Sequence, residues 1–318
     1  MTPLTQAAAV ALCGLACAGM ALAAPFAYIT NQGSHDVSVI DLASLQTVAT
    51  VPVGRSPAGV VAAGATGRVY VSNPDSRSIS VIDMARQQVV ATLPAGQGPV
   101  GIAASADGLS LFVADWFANQ LLSYDLRQPA QPPTATAVGQ APAGVAAAGN
   151  GLAWVAERDD NRVALVDTRA QQVLARVAVG DHPFALLLDA PSQRLYVMNV
   201  NSNDVSVIDS RSHQLLATVK VGRAPYGAAL ADGGRLLYVT NQHADSVSVI
   251  DTRTLQLRQT LEGFGYPEGI AAQGNRVYVV NWMDETLSVL DAASGRALAQ
   301  IPTGRNPRGF GAFIGAPP

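Results

Sequence analysis

Cysteine is nearly missing from this chain: Cys13 and Cys17 are the 2 in 318 residues, and both precede Ala24. Past that point the sequence offers no disulfide framework, no thiolate nucleophile, no Cys-ligated metal and no c-type haem attachment. Lysine is almost as scarce, with Lys220 alone beside a large set of Arg. That bias says more about genome composition than about partners. Charged residues make up 14% and the net charge is −3, which leaves no global footprint for nucleic acid or an anionic membrane. After residue 23 no apolar run approaches the roughly 20 residues of a membrane span. Also missing are a GxSxG elbow, an HExxH helix and a phosphate-binding loop.

One apolar run does stand at the start. Met1 to Gln6 is polar, Ala7 to Ala23 is apolar, and Ala21-Leu22-Ala23 offers a small-x-small cleavage site. Residues 1–23 therefore read as a cleaved secretory signal, although without the usual early Lys or Arg. The competing reading is a membrane anchor, for which the run is short and lacks flanking basic residues. Neither cysteine has the surroundings of a lipoprotein signal. Residues 24–318 are then expected to form one soluble extracytoplasmic domain.

What the remainder has is repetition. An aromatic recurs as Tyr28, Tyr70, Phe112, Trp154, Tyr196, Tyr238 and Tyr278, at steps of 42 residues and finally 40. Three residues on stands Asn31, Asn73, Asp115, Glu157, Asn199, Asn241 or Asn281. An aspartate closes a second β-like run at Asp41, Asp83, Asp125, Asp167, Asp209, Asp251 and Asp291. A proline ends each unit at Pro57, Pro99, Pro142, Pro183, Pro225, Pro267 and Pro307. A period near 42 with four short strands per unit predicts a seven-bladed β-propeller of four-stranded antiparallel blades.

The unit from Pro225 to Gly263 shows how. Gly227 to Leu230 is a short run of small apolar residues, and Asp232-Gly233-Gly234 is a tight-turn signal. Leu236 to Thr240 and Val247 to Asp251 are β-rich runs, and Leu255 to Leu261 follows a polar turn. Innermost strands are squeezed between converging neighbours, so small residues fit there: Gly59 to Gly64, Gly101 to Ser105, Gly144 to Gly149, Gly269 to Gln273. The recurrent Asp and the terminal Asn both read as turn formers. The chain enters at a second strand (Phe26 to Thr30) and leaves on a first strand (Gly309 to Ile314). The last strand should complete the opening blade and close the ring.

Ala27-Tyr28-Ile29-Thr30-Asn31, Val69-Tyr70-Val71-Ser72-Asn73 and Leu237-Tyr238-Val239-Thr240-Asn241, with their Val-Ser-Val-Ile-Asp runs, resemble the YVTN family of β-propeller repeats. With the signal, the chain is similar to YncE-type periplasmic propellers. The resemblance implies a ring-shaped scaffold. The wider family includes proteins of unknown role, single-stranded-DNA binders, surface-layer proteins and companions of quinoprotein oxidation systems. It supplies no invariant catalytic set.

Candidate chemistry lies where the copies disagree. The residue after each proline is Ala58, Val100, Ala143, Phe184, Tyr226, Glu268 and Arg308. Three small residues give way to two aromatics, an acid and a base, all expected to rim one mouth of the axial channel. The same connections add Arg55, His182, Arg223, Tyr266, Arg305 and Asn306, and the neighbouring loops add Trp116-Phe117 and Trp282-Met283. One reading is a polar-aromatic pocket whose Arg residues grip an anion or carbonyl. The plainer one is loop residues that drifted. His35, His182 and His243 share this face but lack the spacing of a ligand motif, so no metal and no cofactor is expected. Gly96 to Gly101 matches GxGxxG only literally, because it opens no helix. Glu157-Arg158-Asp159-Asp160 lacks an EF-hand pattern.

A monomeric, non-enzymatic binding or scaffold propeller is the leading expectation, with a protein or small-molecule partner at the mouth. A lactonase or lactonising enzyme is the alternative, with Glu268 as base, His182 as acid, and Arg223 or Arg308 as clamp. Single-stranded nucleic-acid binding through Trp116, Trp282 and the Arg cluster is a third reading that the net charge does not favour.

Overall fold

The computed structural model describes residues 25–318, so the signal reading at residues 1–23 lies outside them. Seven four-stranded antiparallel sheets surround a central axis, and the chain is a seven-bladed β-propeller. Among the described residues no helix is long and apolar enough to cross a membrane. In blades two to seven the strands run outward in chain order, as in Pro225–Ala231, Leu236–Asn241, Ser246–Asp251 and Gln256–Glu262 of blade six. Blade one takes its inner strand from the other end of the chain, in the order Ile314–Gly315, Phe26–Asn31, Asp36–Asp41, Gln46–Pro52.

The seven periodic aromatics are buried between blades, where the wedge-shaped gaps are widest. Near the axis the blades almost touch. A Cβ added at Gly101, Gly144 or Gly269 would lie 2.0, 2.3 or 2.2 Å from the carbonyl oxygen of Ala143, Phe184 or Gly309 in the next blade. That glycine, two residues after the proline, is needed for its missing side chain. In three blades a hydroxyl stitches the same contact. Thr240 Oγ1 takes the N–H of Gly227 (2.8 Å) and donates to the Glu268 carbonyl of the next blade (2.7 Å). Ser72 and Thr30 do the same for Gly59 and Gly309.

The recurrent aspartates cap turns as their sequence positions suggested. Asp41 Oδ1 accepts the N–H groups of Ala43 and Ser44, both at 2.8 Å, and these bonds hold its carboxyl below the usual range. The terminal asparagines do something else. They are fully buried, and Asn31 Nδ2 donates to Asp36 Oδ1 (2.6 Å) and Ser38 Oγ (2.9 Å) on the adjacent strand. Asn199, Asn241 and Asn281 repeat the pattern. They are interstrand clamps, not turn formers.

The closing segment also departs from expectation. A regular strand over Gly309 to Ile314 is replaced by a two-residue strand at Ile314–Gly315, because Gly309 (φ +59) and Gly311 (φ +124) break the extended run. The segment is nonetheless bonded on both sides. Arg308 N–H reaches Thr30 O and Tyr28 N–H reaches Phe313 O in blade one. Val60 N–H reaches Phe310 O and Ala62 N–H reaches Ala312 O in blade two. It closes the ring and bridges two blades.

Deleting the residues after Pro307 removes those bonds together with the buried Phe310 and Phe313. The truncated chain should lose its cooperative thermal transition in circular dichroism. An unchanged midpoint would mean that closure contributes nothing.

Candidate functional site

The connections before each proline and the loops between second and third strands form one face. Backbone bonds tie them, as Trp116 N–H to Gly98 O (2.9 Å), Gln242 N–H to Ala224 O (2.9 Å) and Trp282 N–H to Tyr266 O (3.2 Å). Inner strands start on this face, which places the post-proline residues at the channel mouth.

Four of those residues meet there. The Phe184 ring lies 4.6 Å from Tyr226 and 6.3 Å from Trp116, measured between centroids. Phe310, which sequence reasoning passed over, enters from the closing segment and stacks 4.9 Å from Phe184 and 5.7 Å from Tyr226. It is buried, and it caps the channel. Beneath it lies a cavity of about 450 Å³ lined mostly by Ala, Gly, Leu and Ile of the inner strands. The only sequence signal for Phe310 was its position between two glycines, which let the segment turn inward.

The acid and the base of the mouth pair with one another. Arg308 Nε and Nη2 donate to Glu268 Oε2 (2.8 Å) and Oε1 (3.2 Å), a bidentate fork. Gln242 Nε2 donates to Oε1 at 2.8 Å. The Glu268 side chain is 1% exposed and that of Arg308 23%. Burial pushes the Glu268 carboxyl above its ordinary range, while Arg308 and Gln242 pull against that. Burial opposes the charge on Arg308, but the paired Glu268 carboxylate works against that and holds its pKa above the ordinary arginine value. Arg308 also stands 5.8 Å over the Tyr226 ring, whose hydroxyl is driven upward by burial. Expected as a free base and a free clamp in the enzymatic reading, Glu268 and Arg308 occupy each other's hydrogen-bonding positions.

The remaining candidates are distributed around this centre. Tyr266, half-buried, lies 5.5 Å from both His243 and Trp282, with its hydroxyl 3.2 Å from His243 Nε2. Trp116 carries Arg158 over its ring at 5.2 Å, a contact with no signal in the sequence. His182 sits between two loops, with Nδ1 2.7 Å from Asn201 Nδ2 and Nε2 3.8 Å from Asp159. Arg223 is exposed on its connection. Arg55 and Arg305 are also exposed and staple loops, donating to the carbonyls of Asp75 (2.9 Å) and Gly33 (3.1 Å). Phe117 and Met283 are 70% and 64% exposed, so the face presents apolar surface beside its rings. Among the described residues no group of three or more His, Cys, Asp and Glu is placed to hold a metal.

A sequence model of the family described as Cytochrome D1 heme domain matches residues 147–284, less than half of the chain. No curated protein matches significantly. Similar solved structures include hydrazine synthase of Kuenenia stuttgartiensis, with a TM-score of 0.75 and 16% identity over 88% of this chain and 99% of that one. A dihydro-heme d1 dehydrogenase gives 0.68 at 16%, over 89% and 74%. Virginiamycin B lyase of Staphylococcus aureus gives 0.66 at 16%, over 77% and 84%. At that identity the likeness is one of fold, and the three names belong to different chemistries.

Replacing Arg308 with Ala strands a buried carboxylate and should cost about 2–3 kcal/mol, the fully buried figure reduced for the exposed edge of the guanidinium. In the variant Glu268 titrates still higher than in the parent. A carboxyl whose folded pKa is raised favours folding below its unfolded value, near 4.5, and loses that contribution as pH rises. The deficit measured by urea denaturation should therefore be smaller at about pH 5 than at pH 8. Equal deficits at both pH values would contradict the pairing.

Proposed function

We propose that this protein is a secreted, periplasmic propeller of the YVTN, YncE-like kind that binds a protein or small-molecule partner at its channel mouth without transforming it. The observation that carries this reading is the Glu268–Arg308 fork. A general base must reach the proton that it abstracts with a free lone pair. Glu268 is buried, holds three hydrogen bonds from Arg308 and Gln242, and lies beside a channel capped by Phe310. Beside the exposed Arg223 and Arg305, this face presents half-buried Trp116, Tyr266 and Trp282 and the exposed Phe117 and Met283. Such surfaces anchor partners through large rigid side chains with few rotamers to immobilise.

The partial family match raises the question of a tetrapyrrole in the channel. The residues do not fit one. No imidazole or thiolate lines the cavity, Phe310 fills its mouth, and His182 and His243 point into hydrogen bonds on the outer loops. The lactonase reading loses its free base to Arg308. Nucleic-acid binding through the exposed Arg and Trp residues stays the weaker reading in a chain of net charge −3.

Periplasmic extract passed over immobilised protein tests the proposal, with Trp282→Ala and Met283→Ser as controls. A component retained by the parent and released by either variant, on a chain that begins at Ala24, is the expected result. Turnover of a lactone panel that Glu268→Gln abolishes would overturn it in favour of the enzyme.

A further inference from the structure

Across the same face from the aromatic cluster, blades two to four carry small residues at the mouth, and the loops of blades one to three hold a separate cleft. The cleft holds about 510 Å³ and is lined by His35, Arg55, Asp75, Arg77, Gln97 and Phe117, with Pro74 at its edge.

One residue here has been released from the structural task of its position. The last residue of each second-to-third-strand loop adopts a left-handed conformation, from His35 (φ +60) to Glu285 (φ +54). In five blades its side chain accepts the N–H of the residue before the next proline. His35 Nδ1 takes Ser56 N–H (3.1 Å), Asn119 takes Ala141, Asn161 takes His182, Asn203 takes Ala224 and Asp245 takes Tyr266. Arg77 (φ +49) stands at this position in blade two, and a guanidinium has no acceptor to offer. The Gly98 N–H it would have held goes to Asp115 Oδ1 instead (2.8 Å). Asp115 stands where five blades have asparagine, and Leu122 stands where those blades have the serine that the asparagine bonds. Three substitutions thus transfer the load away from Arg77. Its backbone stays pinned by bonds to Pro74 O and from Ala95 N–H, and its side chain is left over.

The surroundings complete a receptor. Phe117 is 70% exposed, yet its ring rests on Gly98, where a Cβ would sit 2.5 Å from it. The Gly98 backbone thus lies against a ring that also lines the cleft. His35 accepts through Nδ1, which puts the proton of its neutral ring on Nε2, a donor. Arg55 is fixed by the Asp75 carbonyl, and Asp75 Oδ2 takes the Ser56 hydroxyl (2.6 Å). Among the described residues neither Arg55 nor Arg77 forms a salt bridge. Among the residues that line the cleft, two guanidiniums stand against one carboxylate.

We propose that this cleft binds an aromatic monocarboxylate, its ring stacked on Phe117 and its carboxylate held by Arg77 with support from Arg55 and His35. A planar ring suits the exposed ring of Phe117, and a fork-shaped cation suits a carboxylate. A dianion would meet Asp75 with one charge too many. The site does not depend on the mouth.

Isothermal titration at low ionic strength, with benzoate, cyclohexanecarboxylate and inorganic phosphate as probes, tests it. Benzoate should bind saturably at one site, about fivefold or more tighter than the non-planar acid. Arg77→Ala and Phe117→Ala, both at exposed positions, should each weaken benzoate about tenfold while the melting temperature stays within error. Trp282→Ala should leave it unchanged, which separates this cleft from the mouth. Absence of saturation, equal affinity for both acids, tighter phosphate, or indifference to Arg77→Ala would overturn the proposal.

Discussion

Seven inner strands must converge on one axis, and the closeness of that convergence governs the rest of the molecule. At the glycine two residues past Pro57, Pro99, Pro142, Pro225 and Pro267, the neighbouring blade's carbonyl stands where a methyl group would be. Side chains larger than a methyl group are kept out of that layer, so the bulky aromatics move outward to the gaps between blades and variable residues move upward to the mouth. Where Thr or Ser precedes the terminal Asn, its hydroxyl joins the two blades at the same point. The Thr240 stitch also fixes the backbone carbonyl of Glu268. Scaffold geometry thereby sets the position of the buried Glu268 at the mouth.

The closing segment extends the same logic to function. It has to finish blade one while passing the inner strand of blade two, and Gly309 and Gly311 bend it inward to do so. That bend delivers Phe310 to the channel and Arg308 to Glu268. A residue pair that looks catalytic by composition becomes a latch between blade seven and the chain terminus. The mouth is left closed by packed rings beside an ion pair.

Blade number, strand order and ring closure were legible because each is carried by local periodicity. So were the turn-capping aspartates, whose partners lie two and three residues away. The asparagine clamps were misread because their partners are on a neighbouring strand, and Asn is also a common turn residue. The convergence of Phe184, Tyr226, Glu268 and Arg308 followed from blade order. The Glu268–Arg308 fork spans 40 residues and did not. Gln242 gave no warning, since Gln32 occupies the same place in blade one without an acid above it. Arg77 was detectable in principle. It replaces an acceptor in the one unit followed by Asp115 and Leu122, a coincidence visible only when all copies are compared position by position.

The central claim is that Glu268 and Arg308 act as a structural latch and leave no free base at the mouth. A double-mutant cycle on Glu268→Gln and Arg308→Met, followed by urea denaturation, measures their coupling directly. The account predicts a coupling of about 2 kcal/mol, within the range for contacting charged partners. Additive effects, with coupling near zero, would free both side chains for chemistry and contradict it.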